Sequence, residues 1–340
     1  MATGDLTLDT ARLDAEYAAL SEHCGLVDRS QRGKLALSGP DAKTFLAGQV
    51  TNDTEALAPG EGCYAAFLTH KGKMLGDLRI LDVAPSGAKH KGEDSDSDPS
   101  GEELLLDTER VALQALFDMI RRFKIGYELQ LHKRTMERGL LSLIGPEAMR
   151  VAAAEALPAV EHANVPVEID GIAALAARTD TGVDLLCDSA TTERLTAALC
   201  ERGATAISEQ AAEIVRVEHG RPRYGVDMDE GTIPQEAGLN ERAVSFTKGC
   251  YVGQETVARL YYKGKPNRLL RGLRLSEPSP PGGELRLGEK PVGRLSSAVL
   301  SPAFGPIGLG LVRREAQVGA SLSVGDGNES ARVVELPFQA

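Results

Sequence analysis

Residues 214–255 read IVRVEHGRPRYGVDMDEGTIPQEAGLNERAVSFTKGCYVGQE, and nothing else in the 340-residue chain looks like this stretch. It holds an acid at the end of a helical pattern, an Arg-Pro-Arg-Tyr-Gly turn, carboxylates at Asp227, Asp229 and Glu230, and Cys250 between Lys248 and two glycines. Just upstream, Ala211, Ala212, Ile214, Val215 and Val217 cover one side of the run from Ser208 to His219, and Gly220 follows as a stop. The spacing predicts a helix ending near Glu218. A carboxylate there faces the negative end of the helix dipole. Two readings are open for Glu218: it meets paired N–H donors on a guanidine-like ring edge, or it pairs at the surface with Arg216 or Arg221.

Cys250 also admits two readings. Lys248 is two residues away and Gly249 and Gly253 loosen the backbone, the setting that favours a thiolate. A helical run from Gln254 to Leu260 would add an N-terminal dipole. Against this, most free cysteines are small buried hydrophobes.

Working outward, the whole chain reads as globular. Hydrophobic residues make up 42%, enough for ordinary cores, and the length suits two or three domains. With 49 acidic against 38 basic residues the formal net charge is −11, which argues against a general nucleic-acid or anionic-membrane binder. An anionic ligand must therefore find a local basic pocket. Five cysteines without a C-x-x-C pair indicate neither a disulfide framework nor a standard zinc site, and no metal site is expected. The N-terminus has Asp5, Asp9 and Asp14 and no apolar core, and no run approaches membrane-spanning length, so a cytoplasmic protein is expected.

Toward the N-terminus, Leu13, Tyr17 and Leu20 mark an opening helix, Lys34–Gly39 alternates like a strand, and Pro40 begins a short helix. Cys63–Leu68 and Met74–Val83 read as a hairpin joined by Thr69–Lys73, with Asp77 inside its second strand. The polar run Ala84–Glu103 reads as a mobile loop, and His90 within it lacks fixed metal-ligand geometry. Val111 to Phe123 predicts a helix, Gly145-Pro146 opens an Ala-rich helix to about Leu157, and Thr191 to Cys200 predicts another. Hairpins mixed with helices give an α+β pattern, and no G-x-G-x-x-G follows a strand. Past Lys263-Gly264-Lys265-Pro266 the strands become short and Gly/Pro-punctuated, the pattern of a small closed barrel with its boundary near Pro266.

KGCYVGQE, preceded by RVEHGRPRYGVDMDEGTIPQEAGL, resembles the signature of the YgfZ family of folate-binding proteins, which are similar to the aminomethyltransferase (T-protein) of the glycine cleavage system. Gly48-Gln49-Val50-Thr51-Asn52-Asp53 and Gly72-Lys73-Met74-Leu75-Gly76-Asp77-Leu78 add matches in the right order. The resemblance implies an α+β, aminomethyltransferase-like region over residues 1–265, with interlocked subdomains of about 1–50 with 135–265 and about 51–134. A C-terminal β-barrel over 266–340 completes it. It further implies tetrahydrofolate or a one-carbon derivative as ligand, with Glu218 on the pterin ring, Arg223 and Tyr224 flanking it, and Lys248 and Gly249 nearby. Asp77 and Cys250 are the implied catalytic residues. The implied role is assembly or repair of iron–sulfur client enzymes, including tRNA-modifying ones, through iron–sulfur client or assembly proteins and without direct contact to nucleic acid or membrane. Two alternatives stand beside it: a tetrahydrofolate-dependent aminomethyltransferase and a folate-independent scaffold. The enzymes carry a pair of acids where this chain has Gly76 and Asp77, so methylene transfer is the activity this departure puts in question.

Overall fold

The computed structural model describes residues 3–83, 103–326 and 328–339. The 84–102 segment, and with it His90 and nearly all of the expected loop, lies outside the described residues. The fold is mixed α+β: two sheets carry the helices, and a closed barrel follows.

The first sheet has five strands in the order Gly62–Leu68, Met74–Val83, Glu103–Thr108, Gly33–Ser38, Gln130–Lys133, every neighbouring pair antiparallel. Ala42–Gln49 and Leu113–Phe123 are the helices that share its core, through Phe45, Leu46, Leu116 and Ile120. The second sheet has six strands in the order Thr205–Ala206, Gly25–Asp28, Arg138–Ile144, Gly182–Asp188, Ile172–Arg178, Asn164–Ile169. Its own core is Ala- and Leu-rich and takes in the helix Thr192–Glu201. The barrel closes through Arg268–Leu275, Gly305–Arg313, Lys290–Ser301, Glu284–Leu287, Ser321–Val324 and Ser330–Val334. Its interior is filled by side chains such as Leu273, Leu285, Leu295 and Val333.

Two expectations need correction. The Ala-rich run after Pro146 is helical only over Ala148–Val151, and Ala153 adopts φ 51°. Ala152, Ala154 and Leu157 are all buried, so the chain turns to pack its small side chains into the second core and helix propensity yields to burial. Val111, expected on a helix face, sits in a 3₁₀ turn, is 65% exposed, and the helix starts at Leu113. The four-residue strands Gly25–Asp28, Glu284–Leu287 and Ser321–Val324 are too short to show alternation.

The two strongest sequence motifs interlock. Thr51 Oγ1 donates to Ala243 O at 2.5 Å and accepts from Ala66 N at 2.9 Å, while Ser245 N donates to Thr51 O and Val252 N to Gly48 O. Gly253, at φ 85°, lies so close to the Thr69–Lys73 hairpin turn that a Cβ would stand 2.5 Å from Thr69 O. Only glycine fits both demands. The KGCYVGQE loop is thereby braced against the hairpin whose second strand carries Asp77.

Candidate functional site

A cavity of about 310 Å³ opens where both sheets meet the helix Glu209–Glu218 and the turn after it. The sheet contributes through register. Tyr64 pairs with Arg79, Arg79 with Asp107, and Asp107 with Lys34, giving one polar row across four strands. Asp77 is two residues before Arg79 and therefore shares its face. Tyr64, Asp77, Arg79 and Asp107 all line the cavity.

Asp77 is the lining carboxyl that burial brings toward neutral pH. Burial pushes its pKa up to about 6; the Tyr64 hydroxyl, donating to Oδ2 at 2.5 Å, pulls it down, Glu109 raises it and Arg32 lowers it. The same burial, with the neighbouring Asp77 carboxylate, pushes the Tyr64 phenol well up, so Tyr64 stays the proton donor of the pair. Asp107 behaves in the opposite way. Burial raises it, but the Arg32 and Arg79 guanidiniums outweigh burial and hold it below the ordinary carboxylate range. Two neighbouring buried carboxyls are thus driven apart, one ionised and one able to hold a proton near neutrality.

Every arginine that lines the cavity is paired. Arg29 meets Glu209, Arg32 meets Asp107 and Glu109, Arg79 meets Asp107 and Asp184 (2.7 Å), and Arg216 meets Glu213 and Asp227. Arg221 meets Asp180, Arg223 meets Glu213, and Arg242 meets Glu161 while lying 5.4 Å over the Tyr64 ring. The cavity is polar and nearly charge-balanced rather than an anion trap. Two buried Arg79 nitrogens have no hydrogen-bond partner among the described residues: Nη2, which still lies 3.0 Å from Asp107 Oδ2, and Nε.

The expected site residues divide. Asp77 and Arg223 line the cavity. Tyr224 is buried in the core of the first sheet, where burial pushes its phenol up to about 12, and it is not part of the lining. The Lys248 ammonium donates to Ala47 O, to Val50 O at 2.9 Å and to Asn52 O at 3.0 Å, capping the C-terminal end of the helix Ala42–Gln49. Gly249 is exposed with open space at its Cβ, and Cys250 is an exposed free thiol on the same loop, away from the lining residues.

Glu218 stands apart from these lining residues. It is buried, and both carboxylate oxygens are engaged: Tyr17 donates to Oε1 at 3.0 Å and to Oε2 at 3.2 Å, and Ser301 donates to Oε1 at 2.5 Å. It is not among the lining residues, because the helix turns Ala212, Arg216 and His219 toward the cavity and Glu218 toward the barrel. The carboxylate joins the opening helix to the barrel strand Lys290–Ser301. Glu218→Gln is therefore expected to lower stability by about 1–3 kcal/mol, the cost of a lost charged acceptor, with tetrahydrofolate affinity unchanged. A calorimetric loss of tenfold or more in affinity would return Glu218 to the ligand.

Residue-by-residue reading missed Tyr64, Arg32, Arg79 and Asp107. The signal available was the period-2 placement of Asp77 and Arg79 in one strand.

Residues 8–88 match the GCVT N-terminal domain family. The aminomethyltransferase of Synechococcus sp. (strain RCC307) is 30% identical over 351 residues, covering 96% of this chain and 90% of that protein. The chain belongs to the aminomethyltransferase family. A second relative, the putative transferase At1g60990, chloroplastic, of Arabidopsis thaliana, is 28% identical over 330 residues, covering 93% of this chain and 71% of that protein. The fold matches the crystal structure of glycine cleavage system aminomethyltransferase T from Bartonella henselae with a TM-score of 0.81 at 24% identity, over 96% of this chain and 89% of that one. In this chain the α+β sheets are followed by a closed barrel of six strands. No helix among the described residues is long and apolar enough to cross a membrane.

Proposed function

We propose that this aminomethyltransferase-family chain binds tetrahydrofolate, or a one-carbon derivative of it, in the central cavity, and that Asp77 is the acid–base group serving the bound one-carbon unit. The observation that carries the reading is a buried carboxyl at about pKa 6, hydrogen-bonded to Tyr64, in a cavity otherwise lined by paired charges. A group poised there can hold or release a proton near neutral pH. The cavity volume falls at the lower end of small-molecule sites, and the unpartnered Arg79 Nε supplies a donor for a ring heteroatom or carbonyl. Arg223 stands at the same wall, and the folate would supply the nitrogen that carries the one-carbon fragment. Relatives that are named aminomethyltransferases support this class of chemistry. In this reading residues 1–265 form the folate-binding region and the 266–340 barrel buttresses it. Tetrahydrofolate at about one hundred times its Kd should stabilise the chain by about 2.7 kcal/mol. No shift in the melting curve at millimolar tetrahydrofolate would overturn the proposal.

Two observations favour a second reading, a YgfZ-type role in iron–sulfur assembly or repair. Within KGCYVGQE, Lys248 and Gly253 are committed to packing, whereas the Cys250 thiol is free and exposed. Position 76 points the same way, since a Cβ there would lie 2.6 Å from the Phe67 ring and 2.7 Å from Ala112, leaving no room for a second acid. Two assays separate the readings. Formation of methylene-tetrahydrofolate when the chain replaces the T-protein, with Cys250→Ser fully active, favours aminomethyl transfer. Failure there, with loss of complementation by a stably folded Cys250→Ser protein in a strain lacking its YgfZ-type protein, favours the second.

A further inference from the structure

We propose that a second cleft, on the flank of the barrel, is a binding site for a small polyanion, specifically a molecule carrying two or more phosphate groups. The cleft has a volume of about 460 Å³, in the ordinary range for small-molecule sites. Its cations are Lys265, Arg271, Arg313 and Arg314, and its single lining carboxylate is Glu335.

The charge arrangement is the reverse of that in the central cavity. There every guanidinium meets a carboxylate. Here Arg271 pairs with Glu335 at 3.2 Å, but Lys265, Arg313 and Arg314 make no side-chain hydrogen bond or ion pair among the described residues. The adjacent Glu315 carboxylate is taken by Lys290 at 2.5 Å. The surplus begins in the sequence. From Thr256 to Ser276 there is no acid but six basic residues, in a chain whose net charge is −11. Barrel register concentrates it further, because Arg268 stands directly opposite Arg313, and like charges facing each other across strands are unfavourable. Glu236 pairs with Arg268, whereas Arg313 has only the through-space attraction of Glu315, whose carboxylate is bonded to Lys290.

Four cations against a single lining carboxylate favour an anion as the missing counter-charge. Three guanidiniums and one ammonium match phosphate oxygens by bidentate contacts better than they match a single carboxylate. Leu269, Val312 and Val318 add an apolar wall, suited to an organic portion of the ligand. The positions are fixed by the fold: Arg313 closes the strand Gly305–Arg313, and Arg314 N donates to Asn267 O at 3.0 Å.

The test is calorimetry on the full chain with inorganic pyrophosphate and with ATP, at low and at physiological salt. Saturable binding that weakens with salt is expected, tighter for ATP if the apolar wall holds a base. The double variant Arg313→Ala/Arg314→Ala, and separately Lys265→Gln, should weaken it by at least tenfold while leaving tetrahydrofolate binding and the melting temperature intact. Absence of saturable binding for both probes, or unchanged affinity in the double variant, overturns the proposal. So does a single-stranded RNA or an acidic peptide that binds more than tenfold tighter than ATP, since the site would then serve a macromolecule. Because tetrahydrofolate binding is read separately, failure here leaves the central-cavity assignment standing.

Discussion

Asp77→Asn is expected to make the chain more stable at pH 8 and to remove the chemistry of the central cavity. The folded carboxyl sits at about pKa 6, against about 3.9 when unfolded. A raised carboxyl pKa contributes stability that is fully present below the unfolded value and is lost as pH rises through about 6. Above pH 7 the fold therefore holds an ionised Asp77 at a cost of about 3 kcal/mol, which an isosteric amide avoids. The asparagine oxygen still accepts from Tyr64. Urea unfolding at pH 8 should show the variant more stable by about that amount, and the gap should close toward pH 4.5. Turnover of the one-carbon unit should fall by about 10²–10⁴, the usual share of a positioned acid or base. A variant less stable than its parent at pH 8 would show that Asp77 is a structural ion and not a strained functional one.

Lys248→Met is expected to cost about 3 kcal/mol or more. The ammonium serves three backbone carbonyls at the end of the helix Ala42–Gln49 and lies 5.1 Å from the Tyr251 ring. Burial pushes its pKa down to about 8, so at neutral pH it remains mostly charged and bonded. Methionine fills the volume but leaves buried acceptors without donors, and hydrogen bonds from a charged group are each worth about 1.5–3 kcal/mol without being additive. Cys250→Ser, two residues on, should change stability by less than about 0.5 kcal/mol because the thiol is exposed. Urea midpoints measured side by side decide this, and a Lys248→Met protein as stable as its parent would refute the clamp.

The fold class, the hairpin bearing Asp77, the helix ending at Glu218 and the closed barrel were all legible, because each rests on local periodicity or on Gly/Pro punctuation. The lining of the candidate cavity was legible in part. Asp77 and Arg223 could be singled out by chemical type, yet the direction in which Glu218, Tyr224 and Lys248 point depends on elements far away in sequence. Glu218 takes its partners from Tyr17 and Ser301, and Lys248 takes its carbonyls from residues 47–52. A motif of high polarity can thus be a joint rather than a site. Tyr64, Arg79 and Asp107 escaped notice because their meeting is a matter of strand register, which residue spacing does not disclose.

The lock between Thr51 and Ala243, and between Lys248 and Ala47, joins residues 192 and 201 positions apart. On a ribosome, all strands of the first sheet emerge long before the segment that bolts their corner. Until Lys248 appears, Val50, Ala66 and Phe67 lack the cover that Ala243, Val244 and Tyr251 later provide in the shared core. The nascent chain must therefore wait in a partly assembled form with apolar strands unprotected, a state that invites chaperone capture. A message cut short before codon 248 would yield a chain with the sheet but without its bolt.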